Sequence, residues 1–150
     1  MDRAALLAYL APCGLRCGDC LSFVDGPIGR LAAELRGRLG NFGAFAERFA
    51  GYDPAFADYP AFERLLEKLA APACPGCRSA GPNGCLHSSC AVRPCARDKN
   101  VDFCFQCGDF PCDRHGFPPP LAERWRRNND RMNAVGPDAF AEEVRHTPRY

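Results

Sequence analysis

Apolar positions in the first half of the chain recur three and four residues apart, the spacing that puts side chains on one face of a helix. Leu6, Leu7 and Leu10 mark a short first helix. Pro27 opens a second, in which Ile28, Leu31, Ala32, Leu35 and Leu39 keep the period until Gly40-Asn41 stops it. Phe42, Phe45, Ala46 and Phe49 make a third stripe ending at Gly51. Pro60 begins a fourth, with Phe62, Leu65, Leu66 and Leu69, halted before Pro72. Stripes of this width are core-facing surfaces rather than cofactor grooves. Helical spacing returns at 121–150, where Leu121, Trp125 and Met132 share a face, Gly136 ends it, and Phe140 and Val144 mark a last short helix.

Residues 72–120 break the pattern. Their only large apolar side chains are Leu86, Val92, Val101, Phe103, Phe105, Phe110 and Phe117, separated by the Gly/Pro-rich runs "CPGC", "SAGPNGC" and "GFPPP". No helix or strand pattern of useful length survives, so knuckles and short hairpins are expected. The chain therefore reads as a single domain, 1–150, in three parts: a helical part (1–71), an irregular segment (72–120) and C-terminal helices (121–150). The fold expected is mostly α with an irregular cysteine-rich metal-binding segment of zinc-ribbon or knuckle type. A small α+β arrangement is the alternative.

Composition explains how such a middle segment is held. Leu, Ile, Val and Phe supply about a fifth of the chain, at the edge below which a core does not form unaided. Cysteine is the compensation, with 11 residues in 150. Burial alone does not offset the ordering entropy of 72–120, whereas cross-links by metal or disulfide do. The N-terminal "MDRAALLAYLAPC" has cancelling charges and a short apolar run, and Pro12 stands where a signal would be cleaved. A helix, no export signal and a cytoplasmic location are expected. In a reducing compartment, thiol clusters are metal ligands more often than disulfides, and an odd number fits ligands better than pairs.

Charge excludes two partner classes. Nineteen basic and 18 acidic side chains give a net charge of +1, which draws neither nucleic acid nor an anionic membrane. No stretch reaches the ~18 apolar residues of a membrane span. Arg124, Arg126, Arg127 and Arg131 around Trp125 are offset by Glu123, Asp130, Asp138, Glu142 and Glu143, and read as a solvated helix face.

The cysteine spacing carries the chemistry. Cys74/Cys77 and Cys104/Cys107 are CxxC knuckles, whose tight turns aim backbone N–H groups at two sulfurs sharing one ion. Two knuckles with a 26-residue insert have the layout of a four-cysteine zinc ribbon. With Cys85, Cys90, Cys95 and Cys112, they bring the count from 74 to 112 to eight, enough for two sites of four. His87 and His115 are within reach but read as free surface histidines. Cys13, Cys17 and Cys20 are then a three-thiolate set with an open or borrowed fourth position. A lone CxxC could serve as a redox dithiol, but the βαβ context for that is absent.

The run "CGLRCGDC", "CPGCRSAGPNGC" and "CAVRPCARDKNVDFCFQCGDFPC", followed by a helical tail ending "TPRY", resembles the domain of unknown function 3795 family, which is prokaryotic and cysteine-rich. The resemblance spans nearly the whole chain and all eleven cysteines. It implies zinc binding through these cysteines and no particular activity. One departure is the Leu/Ala helix and Pro12 leading into Cys13, where a strand-like lead is the family expectation. The C-x3-C-x2-C spacing of the triad also matches the cluster motif of radical-SAM enzymes. That chemistry needs a barrel of roughly 200 residues or more, and no alternating βα pattern or glycine-rich nucleotide segment is present.

The function expected is a metal-binding protein, with zinc as the ion, acting as an interaction or adaptor module toward an unknown protein partner. The first alternative is an electron-transfer or redox-sensing protein carrying a [4Fe–4S] cluster. The second is a zinc-dependent enzyme acting at Cys13/Cys17/Cys20, although no Ser-His-Asp set, carboxylate pair near a histidine or phosphate loop is found. Nucleic-acid binding is disfavoured, since residues 72–120 carry five basic and four acidic side chains.

Overall fold

The computed structural model of the chain describes residues 1–79 and 84–150; the Gly/Pro-rich run at 80–83 lies outside the described residues. Seven α-helices and three 3-10 turns lie among the described residues, and about 55% of the chain is helical. The periodic stripes become helices as expected. They are α1 (Arg3–Tyr9), α2 (Pro27–Leu39), α4 (Tyr59–Ala70), α6 (Pro119–Val135) and α7 (Pro137–Arg145). The third stripe is interrupted, with a 3-10 turn at Phe42–Ala44 and only five residues of α3 (Ala46–Ala50). Ring packing explains the break. Phe42 lies 5.1 Å from Phe49, 5.8 Å from Phe56 and 4.8 Å from Tyr59, and a continuous helix would not fold the first three of these rings back on one another.

Helices α2 and α4 pack as a hairpin over Ala32 and Leu66. Gly29 of α2 abuts Pro72, where a Cβ would lie 2.8 Å from the ring. This hairpin contains none of the cysteines. It joins the cysteine-bearing loops through one parallel bridge between Phe23 and Cys74, made by Cys74 N–H to Ser22 O (2.7 Å) and Val24 N–H to Cys74 O (3.0 Å).

Two apolar clusters hold the remainder. In one, Leu6 and Leu10 meet Phe103, Met132, Phe140 and Ala141, joining α1, α6 and α7. In the other, Ala11, Val92, Phe117 and Trp125 are packed by Cys13, Cys17, Cys77, Cys90 and Cys104. Sulfur supplies core volume there that aliphatic carbon supplies elsewhere. Within 72–120 a short helix forms that the spacing did not predict, α5 (Val92–Asp98). Its buried face is only Val92 and Ala96, too sparse to register as periodicity. Among the described residues no strand forms, only the Phe23–Cys74 and Leu10–Arg16 bridges. The hairpins of a zinc ribbon and the α+β alternative are thus not seen among those residues.

Asn129 of α6 fastens this layer. Its side chain is fully buried; Nδ2 donates to Cys13 O (3.0 Å) and Trp125 O (2.9 Å), and Oδ1 accepts from Phe105 N–H (3.0 Å). Gly14, φ +75°, lets the Cys13 turn lie against α6, where a Cβ would stand 2.8 Å from Met132. Replacing Asn129 by Ala leaves the Cys13 carbonyl and the Phe105 N–H buried without partners, at about 1–3 kcal/mol each. Asn129→Ala should therefore lower stability by roughly 2–4 kcal/mol in denaturant unfolding, while Asn128→Ala, which removes one half-buried bond to Gly14 O, costs under about 1.5 kcal/mol.

Candidate metal centres

Eight of the eleven cysteines fall into two adjoining sets that cut across the three parts of the chain and meet where Cys104 neighbours Cys13. The first collects Cys13 and Cys17 from the N-terminal loop with Cys77 and Cys90. Cys17 donates a thiol hydrogen bond to Cys77. That bond, aided by the nearby Arg78 and Arg93 and opposed by burial, holds the Cys77 thiol down at about 7. The same bond together with burial pushes Cys17 up, and burial pushes Cys13 well above the ordinary thiol range and raises Cys90. Gly76, φ +90°, makes the tight knuckle turn at Cys77. Cys85 borders the set, with Cys74, Cys77 and Cys90 as its sulfur neighbours.

The second collects Cys95 from α5, Cys104 and Cys107 from the 3-10 turn Cys104–Gln106 and its end, and Cys112. All four line a cavity of about 30 Å³, walled further by Val92, Phe110 and His115. Burial, with Cys95, Cys112 and Cys107 adding to it, pushes Cys104 up to about 11, partly relieved by the Trp125 indole. Among the described residues that buried indole N–H has no partner in hydrogen-bond geometry, although it lies near the Cys104 sulfur. A thiolate there would accept it; a thiol is a poor acceptor.

Cations face the first set, and backbone carbonyls hold them. Arg78 Nη1 donates to Leu7 O (2.6 Å) and to Leu10 O, Nη2 donates to Asp102 O (2.5 Å), and the guanidinium lies 5.2 Å over the Phe103 ring. Arg93 donates to Ser79 O (2.6 Å). On the far side, Arg149 lies beside Cys17 and Cys20 and donates to Arg16 O. Arg16 in turn donates to Val144 O, Thr147 O (2.7 Å) and Pro148 O (2.8 Å). The C-terminal segment is thereby drawn over the N-terminal loop. Tyr150 Oη accepts from Leu21 N–H (3.2 Å) and lies 3.9 Å from the Cys20 sulfur.

The structure thus divides Cys13, Cys17 and Cys20. The first two join Cys77 and Cys90, while Cys20 sits under the tail. The knuckle pairs do not combine either, since Cys77 belongs to the first set and Cys104/Cys107 to the second. Cys74 is buried in the bridge to Phe23. His87 is exposed. His115 is half-buried, with its Nδ1 accepting from Phe117 N–H (2.9 Å) and its ring 4.9 Å from Trp125. Among the described residues no three Cys, His, Asp or Glu side chains stand in coordination geometry about one point. The residues the spacing could not flag are Asn129, Trp125 beside the Cys104 sulfur, and the arginines. A CxxC followed by Arg, as in Cys77-Arg78, was the available signal for the last.

A helical, cysteine-rich chain with thiols in its core is the class these features define. A family model described as a protein of unknown function, DUF3795, matches residues 9–116, and the chain belongs to that family. The matched stretch holds all eleven cysteines and ends before α6. No curated protein and no solved structure matches the chain. None of its described helices is long and apolar enough to cross a membrane.

The tail contact makes a prediction about access. Ending the chain after His146 removes Arg149 and Tyr150, so Cys20 should react about tenfold faster with iodoacetamide, as read by peptide mass spectrometry. Cys13, only 4% exposed, should keep its rate. An unchanged Cys20 rate would show that the tail does not shield it.

Proposed function

We propose that the protein is a zinc-binding module with two four-thiolate centres, Cys13/Cys17/Cys77/Cys90 and Cys95/Cys104/Cys107/Cys112, acting as an interaction or adaptor module. The observation that carries this reading is the charge around the first set. Arg78 and Arg149 face buried sulfurs and donate to backbone carbonyls, and the one carboxylate near them, Asp102 beside Arg78, is itself paired with Arg3. Neutral thiols beside these two cations would leave charge incompletely compensated in a poorly solvated place. Thiolates supply the compensation, and buried thiolates need a metal to be stable at neutral pH. The second set fits the same reading through the orphaned Trp125 donor. Bound there, zinc would cross-link the part of the chain that is poorest in apolar side chains. An interaction role is supported by the hairpin, where Leu31, Phe45, Phe62 and Leu65 stand at least 42% exposed.

The pH dependence of stability tests the thiolate state. Without metal, Cys13, Cys17, Cys90 and Cys104 are raised in the folded protein, so above the ordinary thiol value the unfolded chain has released protons that the fold retains. Metal-free protein should then lose stability as pH rises from about 8.5 toward 11. Cys77, lowered to about 7, acts in the opposite sense, its contribution being lost as pH falls through 7, and it is outnumbered. With zinc, protons compete for the thiolates and stability is lost on acidification, from about pH 6 downward. Thermal melts of protein as purified and after chelation should show these opposite slopes, and elemental analysis should find two zinc ions per chain. Parallel slopes would sink the thiolate reading. Stoichiometric iron with acid-labile sulfide would replace zinc by an iron–sulfur cluster.

A further inference from the structure

A concavity of about 610 Å³ lies between α1, α5 and the turn after α5. Its wall carries four guanidinium side chains, Arg3, Arg78, Arg93 and Arg97, against one carboxylate, Asp102. The carboxylate is taken, since Arg3 pairs with Asp102 at 2.5 Å. Arg78 is pinned to carbonyls, and it and Arg93 face Cys77, which also lines the wall. Those two are accounted for by the thiolates of the first centre. Arg97 is not: it is exposed on the last turn of α5, and no acidic side chain pairs with it among the described residues. Gln106 adds a polar group, with its Oε1 accepting from Asp102 N–H (2.9 Å) and Phe103 N–H (3.0 Å), which leaves the amide nitrogen as a donor.

Placement of Arg97 at the C-terminal end of α5 accounts for its position on that helix. It does not account for a concavity of ligand size walled by four arginines. We infer that this concavity binds a small molecule through a phosphate group, with Arg97 as the principal contact and the Gln106 amide beside it. Guanidinium forks match phosphate oxygens two at a time, and a phosphate dianion has oxygens enough for two forks. The volume exceeds what a bare phosphate fills, leaving room for an organic portion toward Pro12 and Val101. This inference does not depend on the metal, because arginine stays charged whatever the state of the cysteines.

The test is an NMR titration of the ¹⁵N-labelled protein as purified, with inorganic phosphate, succinate and chloride added separately at matched ionic strength, and zinc measured on every sample. Phosphate should produce saturable shifts at Arg97, Asn100, Val101 and Asp102, and chloride none. Arg97→Gln should weaken binding by about tenfold with zinc content and the remaining spectrum unchanged, and Arg97→Lys by less, having kept the charge without the fork. Arg127→Gln, in a different groove, should leave binding as it was. Non-saturating shifts, equal shifts with chloride, stronger binding of succinate, or undiminished binding in Arg97→Gln would each overturn the assignment. Loss of zinc with phosphate binding intact would count against the metal reading alone.

Discussion

Burying sulfur is what this structure depends on. Leu, Ile, Val and Phe are too few to close a core over residues 72–120, and cysteines from both halves of the chain fill the space around Ala11, Val92, Phe117 and Trp125 instead. Thiols tolerate burial as small hydrophobes, but only in the neutral form, and the fold sets arginines beside them. The two facts are compatible when the sulfurs are thiolates whose charge is shared between metal and guanidinium. Arg78 and Arg149 are then counter-charges held in place by backbone carbonyls, with the Asp102 carboxylate also near Arg78.

The helices outside the cysteine segment make this arrangement rigid. Asn129 and Gly14 bring the Cys13 turn onto α6, and the same Asn129 side chain takes the N–H of Phe105, next to Cys104. One amide thus sets the spacing between Cys13 of the first thiol set and the chain beside Cys104 of the second. Trp125, one turn earlier, stands with its indole N–H toward Cys104. The α6 helix lies beyond the stretch the family model matches, yet it supplies the surface on which both thiol sets are assembled.

Helices were legible in the sequence wherever an apolar stripe was long enough. The Ile28–Leu39 and Phe62–Leu69 runs gave α2 and α4, and Trp125 and Met132 are both buried in α6. Helix α5 was not legible, because two buried residues in seven make no period. The importance of cysteine was legible from its count, but its grouping was not. Spacing groups neighbours along the chain, as in Cys13/Cys17/Cys20, whereas the fold groups residues by where loops cross. The carbonyls of Leu7 and Leu10 fix Arg78 beside Cys77, some seventy residues away, and no local pattern announces such a contact. Asn129 was silent for the same reason, since a polar residue within a polar helix face looks solvated until its partners are placed.

The grouping into two centres is the central claim, and native mass spectrometry of cysteine variants measures it directly. Wild-type protein should carry two zinc ions, Cys17→Ser one, Cys107→Ser one, and the double variant none, while Cys20→Ser keeps two. If Cys20→Ser loses an ion while Cys17→Ser and Cys107→Ser behave as members of a single site, the thiols are partitioned in another way and the account fails.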